Sequence, residues 1–149
     1  MVRDNKISKS LKTARIIQLA YLVAILIYAD LVFHLLPSES TSPVLSIGES
    51  RVTILTVVLS VLAVCSIGTS YFWPRLVKGY KSRMGLLSVY VARAALFGSV
   101  AIFGLILGVV GAMWEIPLIF FLVSAAALIL TFPTEEKWKK MMESIGFDF

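Results

Sequence analysis

The sequence predicts an all-α integral membrane protein with four transmembrane helices, paired as two antiparallel hairpins. Three observations predict it. The 149 residues are 58% hydrophobic and 15% charged, with a mean hydropathy of +0.89, whereas soluble domains run nearer half apolar and a quarter charged. A chain this short has little interior in which to hide so much apolar surface. The apolar residues fall in four blocks, each close to the ~20 residues that cross a hydrocarbon core. Residues 1–149 form one domain on this reading, with expected spans at 16–36, 52–72, 88–112 and 117–132.

The basic segment 1–15 carries Arg3, Lys6, Lys9, Lys12 and Arg15 against a single acid, Asp4. Ile7, Leu11 and Ala14 recur among them at helical spacing, so the segment reads either as a short helix on an anionic leaflet or as a basic tail. The apolar block that follows, of about 21 residues, is too long for a signal-peptide core and is expected to be a retained span. Pro37 ends it, and a Ser/Thr-rich loop with Glu39 and Glu49 leads to span two, for which Ser50 is the expected N-cap. Trp73 and Pro74 stop span two. A basic stretch follows, Arg75 to Arg83, broken by Gly79 and Gly85. Span three holds Arg93 in its first turns, where a long side chain reaches the headgroups. The turn Met113–Pro117 is so short that spans three and four must form an antiparallel hairpin. Thr134 is the expected N-cap of an amphipathic C-terminal segment, 134–149, with Trp138, Met141, Met142 and Ile145 on one face. Trp73, Trp114 and Trp138 lie at span ends, where an aromatic belt belongs, and with Arg93 they are the expected interface anchors.

Of the 14 Lys and Arg residues, only Arg51 falls on the side opposite the rest. The positive-inside rule then places both termini in the cytoplasm, in a membrane of prokaryotic cytoplasmic type. The same placement makes the positive charge a topology signal, and no nucleic-acid partner is expected. The single cysteine, Cys65, excludes an internal disulfide and reads as a small buried hydrophobe.

Asp30 is the only acid inside a span, and His34, the only histidine, is one turn further along the same face. A carboxylate at this depth costs free energy, so the pair is read either as a proton- or cation-handling site or as a solvated Asp–His hydrogen bond. Gln18, Tyr21 and Tyr28 form a second polar stripe with an expected packing role. Gly98, Gly104, Gly108, Gly111 and Ala112 give span three a small-residue face, including a GxxxG step, for close approach to span four or to a second copy. Hydroxyls in span two are expected to bond back to their own helix. No metal-ligand cluster, GxSxG or glycine-rich phosphate loop is present in the sequence. The expected function is non-enzymatic, without metal or cofactor: a structural or accessory subunit, or a homo-oligomer. Its expected partners are the bilayer and other membrane helices. The alternative is a proton or small-cation conductor using Asp30 and His34.

An internal match is visible between Leu22-Val23-Ala24-Ile25-Leu26 and Ser99-Val100-Ala101-Ile102-Phe103, which would make the two hairpins a parallel duplication. Residues 95–107, Ala-Leu-Phe-Gly-Ser-Val-Ala-Ile-Phe-Gly-Leu-Ile-Leu, resemble the ion-binding helix of rotary-ATPase proteolipid (c or K) subunits, which typically reads Ala-Leu-x-Glu-x-x-Ala-Ile-Tyr-Gly-Leu. Many of those subunits are also duplicated hairpins. The family's ion-carrying glutamate falls on Gly98 here, and on Tyr21 in the first repeat. Gly98 cannot bind a proton or sodium ion, Tyr21 is not a carboxylate, and Asp30 is ~13 Å further along its helix. The resemblance therefore implies a packing element that has lost turnover.

Overall fold

The computed structural model describes residues 2–35, 48–76 and 83–144. They form α1 (Val2–Leu35), α2 (Glu49–Leu76), α3 (Arg83–Val110), α4 (Glu115–Leu130) and α5 (Glu135–Ser144). Stretches of α1, α2 and α3 are long and apolar enough to cross a membrane, and α4 is a shorter apolar helix of 16 residues. Much of the 37–50 loop, the centre of the basic connection and Ile145 onward lie outside the described residues, as do the side chains of Trp73, Met141 and Met142.

The basic N-terminal segment is not a separate element. It continues into the first apolar block as one helix of 34 residues, ~51 Å long, because no Gly or Pro interrupts 2–35. Leu11 and Ala14 are buried, so this part of α1 packs on the protein. Helix α2 starts before Ser50. The carbonyl of Gly48 accepts from the amides of Arg51 and Val52 at 2.8 and 3.3 Å, so Ser50 lies inside the first turn rather than capping it. Helix α3 likewise begins earlier than expected and runs through Gly85.

Helix α3 ends in a Schellman motif. The amide of Ala112 donates to the Leu107 carbonyl (3.0 Å) and that of Gly111 to Gly108 (3.2 Å), with Gly111 at φ 89°. Gly111 is thus a helix stop that uses the left-handed region open to glycine, not part of the packing face. Ala112 beyond it is buried against the core. Thr134 caps α5 as expected, its hydroxyl accepting from the Lys137 amide at 3.3 Å.

The packing register fixes the helix directions. Tyr21 meets Gly98 and Val32 meets Gly108, so α1 and α3 run parallel. Gly104 meets Pro117 and Phe120, while Ser124 meets Phe97, so α4 runs antiparallel to α3. Arg93 near the start of α3 reaches Ser70 near the end of α2, so α2 is antiparallel as well. Helix α3 is the hub, packing on α1, α2 and α4, while α4 also touches α1. The α3–α4 pair is a close hairpin. Helices α1 and α2, consecutive in sequence, make no extended contact, so the first expected hairpin is open. One core cluster joins Ile25, Val32, Ala94, Phe97, Ala101, Phe121 and Leu128. A second joins Leu59, Ala63, Val100, Leu107 and Phe120.

Candidate functional site

The directions of the helices bring the start of α1, the end of α2, the start of α3, the end of α4 and all of α5 to one end of the bundle. Lys9, Lys12, Arg15, Arg93, Lys137, Lys139 and Lys140 therefore share that end, and Arg51 is at the other. Their chemistry follows from an accounting of carbonyls. The last four carbonyls of a helix lack partners from the helix itself. In α4 all four are answered. Ala127 accepts from the Thr131 amide and hydroxyl, and Ile129 from the Phe132 amide. The buried Gln18 of α1 donates Nε2 to the Leu128 carbonyl and to Thr131 Oγ1, at 2.5 and 3.2 Å. Lys137 Nζ donates to the Leu130 carbonyl at 2.9 Å. One residue pair further along, Arg15 Nε donates to the Pro133 carbonyl at 3.2 Å.

Arg93 is fixed in a similar way. Its Nε donates to the Ser70 carbonyl at 2.9 Å, leaving the guanidinium half-buried between α2 and α3. It therefore ties two helices together. Trp138 departs from its expected place. It is 1% exposed and its ring stacks on that of Tyr90, centroids 5.1 Å apart, so it locks α5 onto α3 instead of standing in an aromatic belt. Its Nε1 is buried and has no partner among the described residues. Trp114, in the α3–α4 turn, is exposed. Between α3, the end of α4 and α5 lies an open cleft of about 420 Å³ lined by Tyr90, Arg93, Leu130, Thr131, Lys137 and Lys140.

Asp30 and His34 do meet. His34 Nδ1 lies 3.4 Å from Asp30 Oδ1 and 2.9 Å from the Asp30 carbonyl. The pair stands on the outer surface of α1, with side chains 73% and 75% exposed, among the exposed Ile27, Leu31 and Phe33. It does not point into the bundle. The small residues of α3 do. Gly98, Gly104, Gly108 and Ala112 are buried against α1, α4 and the core, so the GxxxG step is occupied by this chain's own helices. Ser124 strengthens the same seam by donating to the Phe97 carbonyl at 2.6 Å. The hydroxyls of Thr56, Thr69 and Ser70 bond back to their own helix, as expected. Cys65, expected inside, faces outward, since the one extended contact of α2 is with α3. Among the described residues no three His, Cys, Asp or Glu side chains gather as a metal site.

The cleft at the basic end is what sequence reasoning missed. Gln18 and Thr131 were visible as polar residues near span ends, but their meeting joins positions 113 apart, and no local pattern reports it. No family model, curated relative or solved structure matches the chain.

Proposed function

We propose that this chain is a four-span protein of a prokaryotic-type cytoplasmic membrane, both termini cytoplasmic, that works without catalysis as a structural or accessory subunit or as a homo-oligomer. The observation that carries this reading is the position of α2. Among the described residues its one extended contact is with α3, and only 11% of its apolar window is buried. In lipid, helices associate by packing rather than by hydrophobic drive. A span with a single neighbour has the most surface left for another helix. Gly98, Gly104 and Gly108 of α3 are occupied within the chain, so association is assigned to the outer face of α2, around Val57, Val61 and Val64. The orientation is supported by the thirteen Lys and Arg that fall on the side opposite Arg51. The likeness of 95–107 to proteolipid helices is taken as one of packing alone, because a side chain at Gly98 would run into the Tyr21 ring.

The test is the native mass of the protein taken gently from its own membrane, with every co-purifying chain identified. A defined oligomer or stoichiometric foreign subunits are expected, and Val61→Trp is expected to reduce assembly without unfolding the chain. A wild-type monomer with no partner would overturn the reading.

The contact between Asp30 and His34 favours a second reading, proton or cation handling at the surface of α1. On the leading reading, purified protein in liposomes gives no proton flux above lipid background, and Asp30→Asn changes nothing. Flux that Asp30→Asn abolishes would establish the second reading in its place.

A further inference from the structure

We infer that the cleft between α3, α4 and α5 is a binding site for the phosphate of an anionic phospholipid headgroup. Three cations line it, Arg93, Lys137 and Lys140, and among the described residues none is ion-paired with a carboxylate. The acids of α5, Glu135, Glu136 and Glu143, are not part of the lining. Two of the cations are held in place by bonds to carbonyls, Arg93 Nε to Ser70 and Lys137 Nζ to Leu130, both at 2.9 Å. Each keeps further N–H donors for an anion, since a guanidinium has five and an ammonium three. A phosphate oxygen is the acceptor that suits such a cluster, with Arg available for a two-pronged contact. Tyr90 gives the cleft a rigid wall, because its ring is stacked on the buried Trp138.

The position of the cleft selects a lipid over a free ion. Arg93 lies inside the apolar stretch Leu87–Val110, not beyond its end. Leu130, on the rim, is 74% exposed. From it an exposed apolar stripe, Ile129, Val123, Leu122 and Ile119, runs down α4, a track of ~16 Å for an acyl chain. A headgroup in the cleft and a chain on the stripe satisfy both surfaces at once. Basic pockets between spans on the cytoplasmic side take anionic lipids for this reason. The inference rests on the bilayer placement proposed above, yet its test does not depend on which way the chain is inserted.

The experiment is native mass spectrometry of the full chain in a neutral detergent, titrated with phosphatidylglycerol, with phosphatidylcholine and with inorganic phosphate. Phosphatidylglycerol is expected to bind as a discrete adduct. Lys140→Gln is expected to weaken it about fivefold, the effect of one cation near an anionic lipid. Lys139→Gln, on the same helix but outside the lining, is the control and is expected to leave binding unchanged. Arg93→Lys, which keeps the charge but loses the fork, should also weaken it, with thermal unfolding confirming the fold. Equal losses from Lys139→Gln and Lys140→Gln would reduce the effect to surface charge and overturn the site. Equal binding of phosphatidylcholine would overturn the anionic specificity. Inorganic phosphate that displaces the lipid at equal concentration would reassign the cleft to a free anion. Failure of these arms with the native oligomer intact would sink the lipid site alone, and a partnerless monomer that still binds the lipid would sink the subunit reading alone.

Discussion

Gly104→Ala is expected to destabilise the protein by about 1–3 kcal/mol, the range for overpacking a filled interior, and to do so more than the same change at Gly98 or Gly108. A Cβ at 104 would lie 2.9 Å from the Phe120 Cβ and 3.0 Å from the Pro117 carbonyl oxygen. Both atoms belong to or adjoin the backbone of α4, so α4 itself must move. At 108 the new methyl would meet both γ-methyls of Val32 at 2.7 Å. That side chain is branched and has one preferred rotamer in a helix, so the cost is close behind. At 98 the contact is equally short, 2.7 Å, but it is with the edge of the Tyr21 ring, which can swing aside. Gly68 has nothing within 4 Å, and alanine there should be neutral or slightly stabilising, as its helix propensity suggests. Unfolding in mixed micelles, followed by helicity, gives the order 104, 108, 98, 68. Gly104→Ala no costlier than Gly68→Ala would refute the α3–α4 seam.

The second large effect is expected at Gln18. Changing it to Leu removes the Nε2 donor to the Leu128 carbonyl, leaving only the 3.3 Å approach of Thr131 Oγ1, whose hydrogen goes to Ala127 at 2.7 Å. A buried polar group that loses its partner costs about 1–3 kcal/mol. Gln18→Glu should be worse at neutral pH. A carboxylate only accepts, and it would face a carbonyl and a hydroxyl that donates elsewhere. The comparison is read by the same unfolding assay, with Gln18→Glu expected to recover toward Gln18→Leu as the pH falls and the carboxyl gains a proton to donate. A Gln18→Glu protein as stable as wild type at neutral pH would show that the amide is not donating to Leu128.

Much of the architecture was legible in the sequence because lipid imposes a simple rule. Backbone groups in the hydrocarbon must be satisfied within helices, so length and hydropathy predict α1, α2 and α3, and Thr134 marks the start of α5. Side-chain direction was not legible. The α3 glycines are clear as a face for close approach, with α4 as one expected neighbour, but nothing local says that α1 fills the rest of it. Gly111 carries the same letter as Gly108 and serves as a stop, which only its φ reveals. Trp138 reads as a belt residue by position and is buried by the return of α5 onto Tyr90. The cleft is harder still. Arg93 is separated from Thr131 by a long apolar stretch and from Lys140 by a further polar one, and only the directions of three helices put them together.

The central place of α3 also bears on biogenesis. In chain order α1 and α2 precede α3, and no extended contact joins the two. Until α3 has been made, each lacks the neighbour on which it packs most extensively. Insertion of α3 supplies the parallel neighbour for α1 and the antiparallel one for α2, and α4 then closes over the same helix. The packing of this bundle therefore waits on α3, and a chain truncated before α3 is expected to leave α1 and α2 without the contacts that hold them.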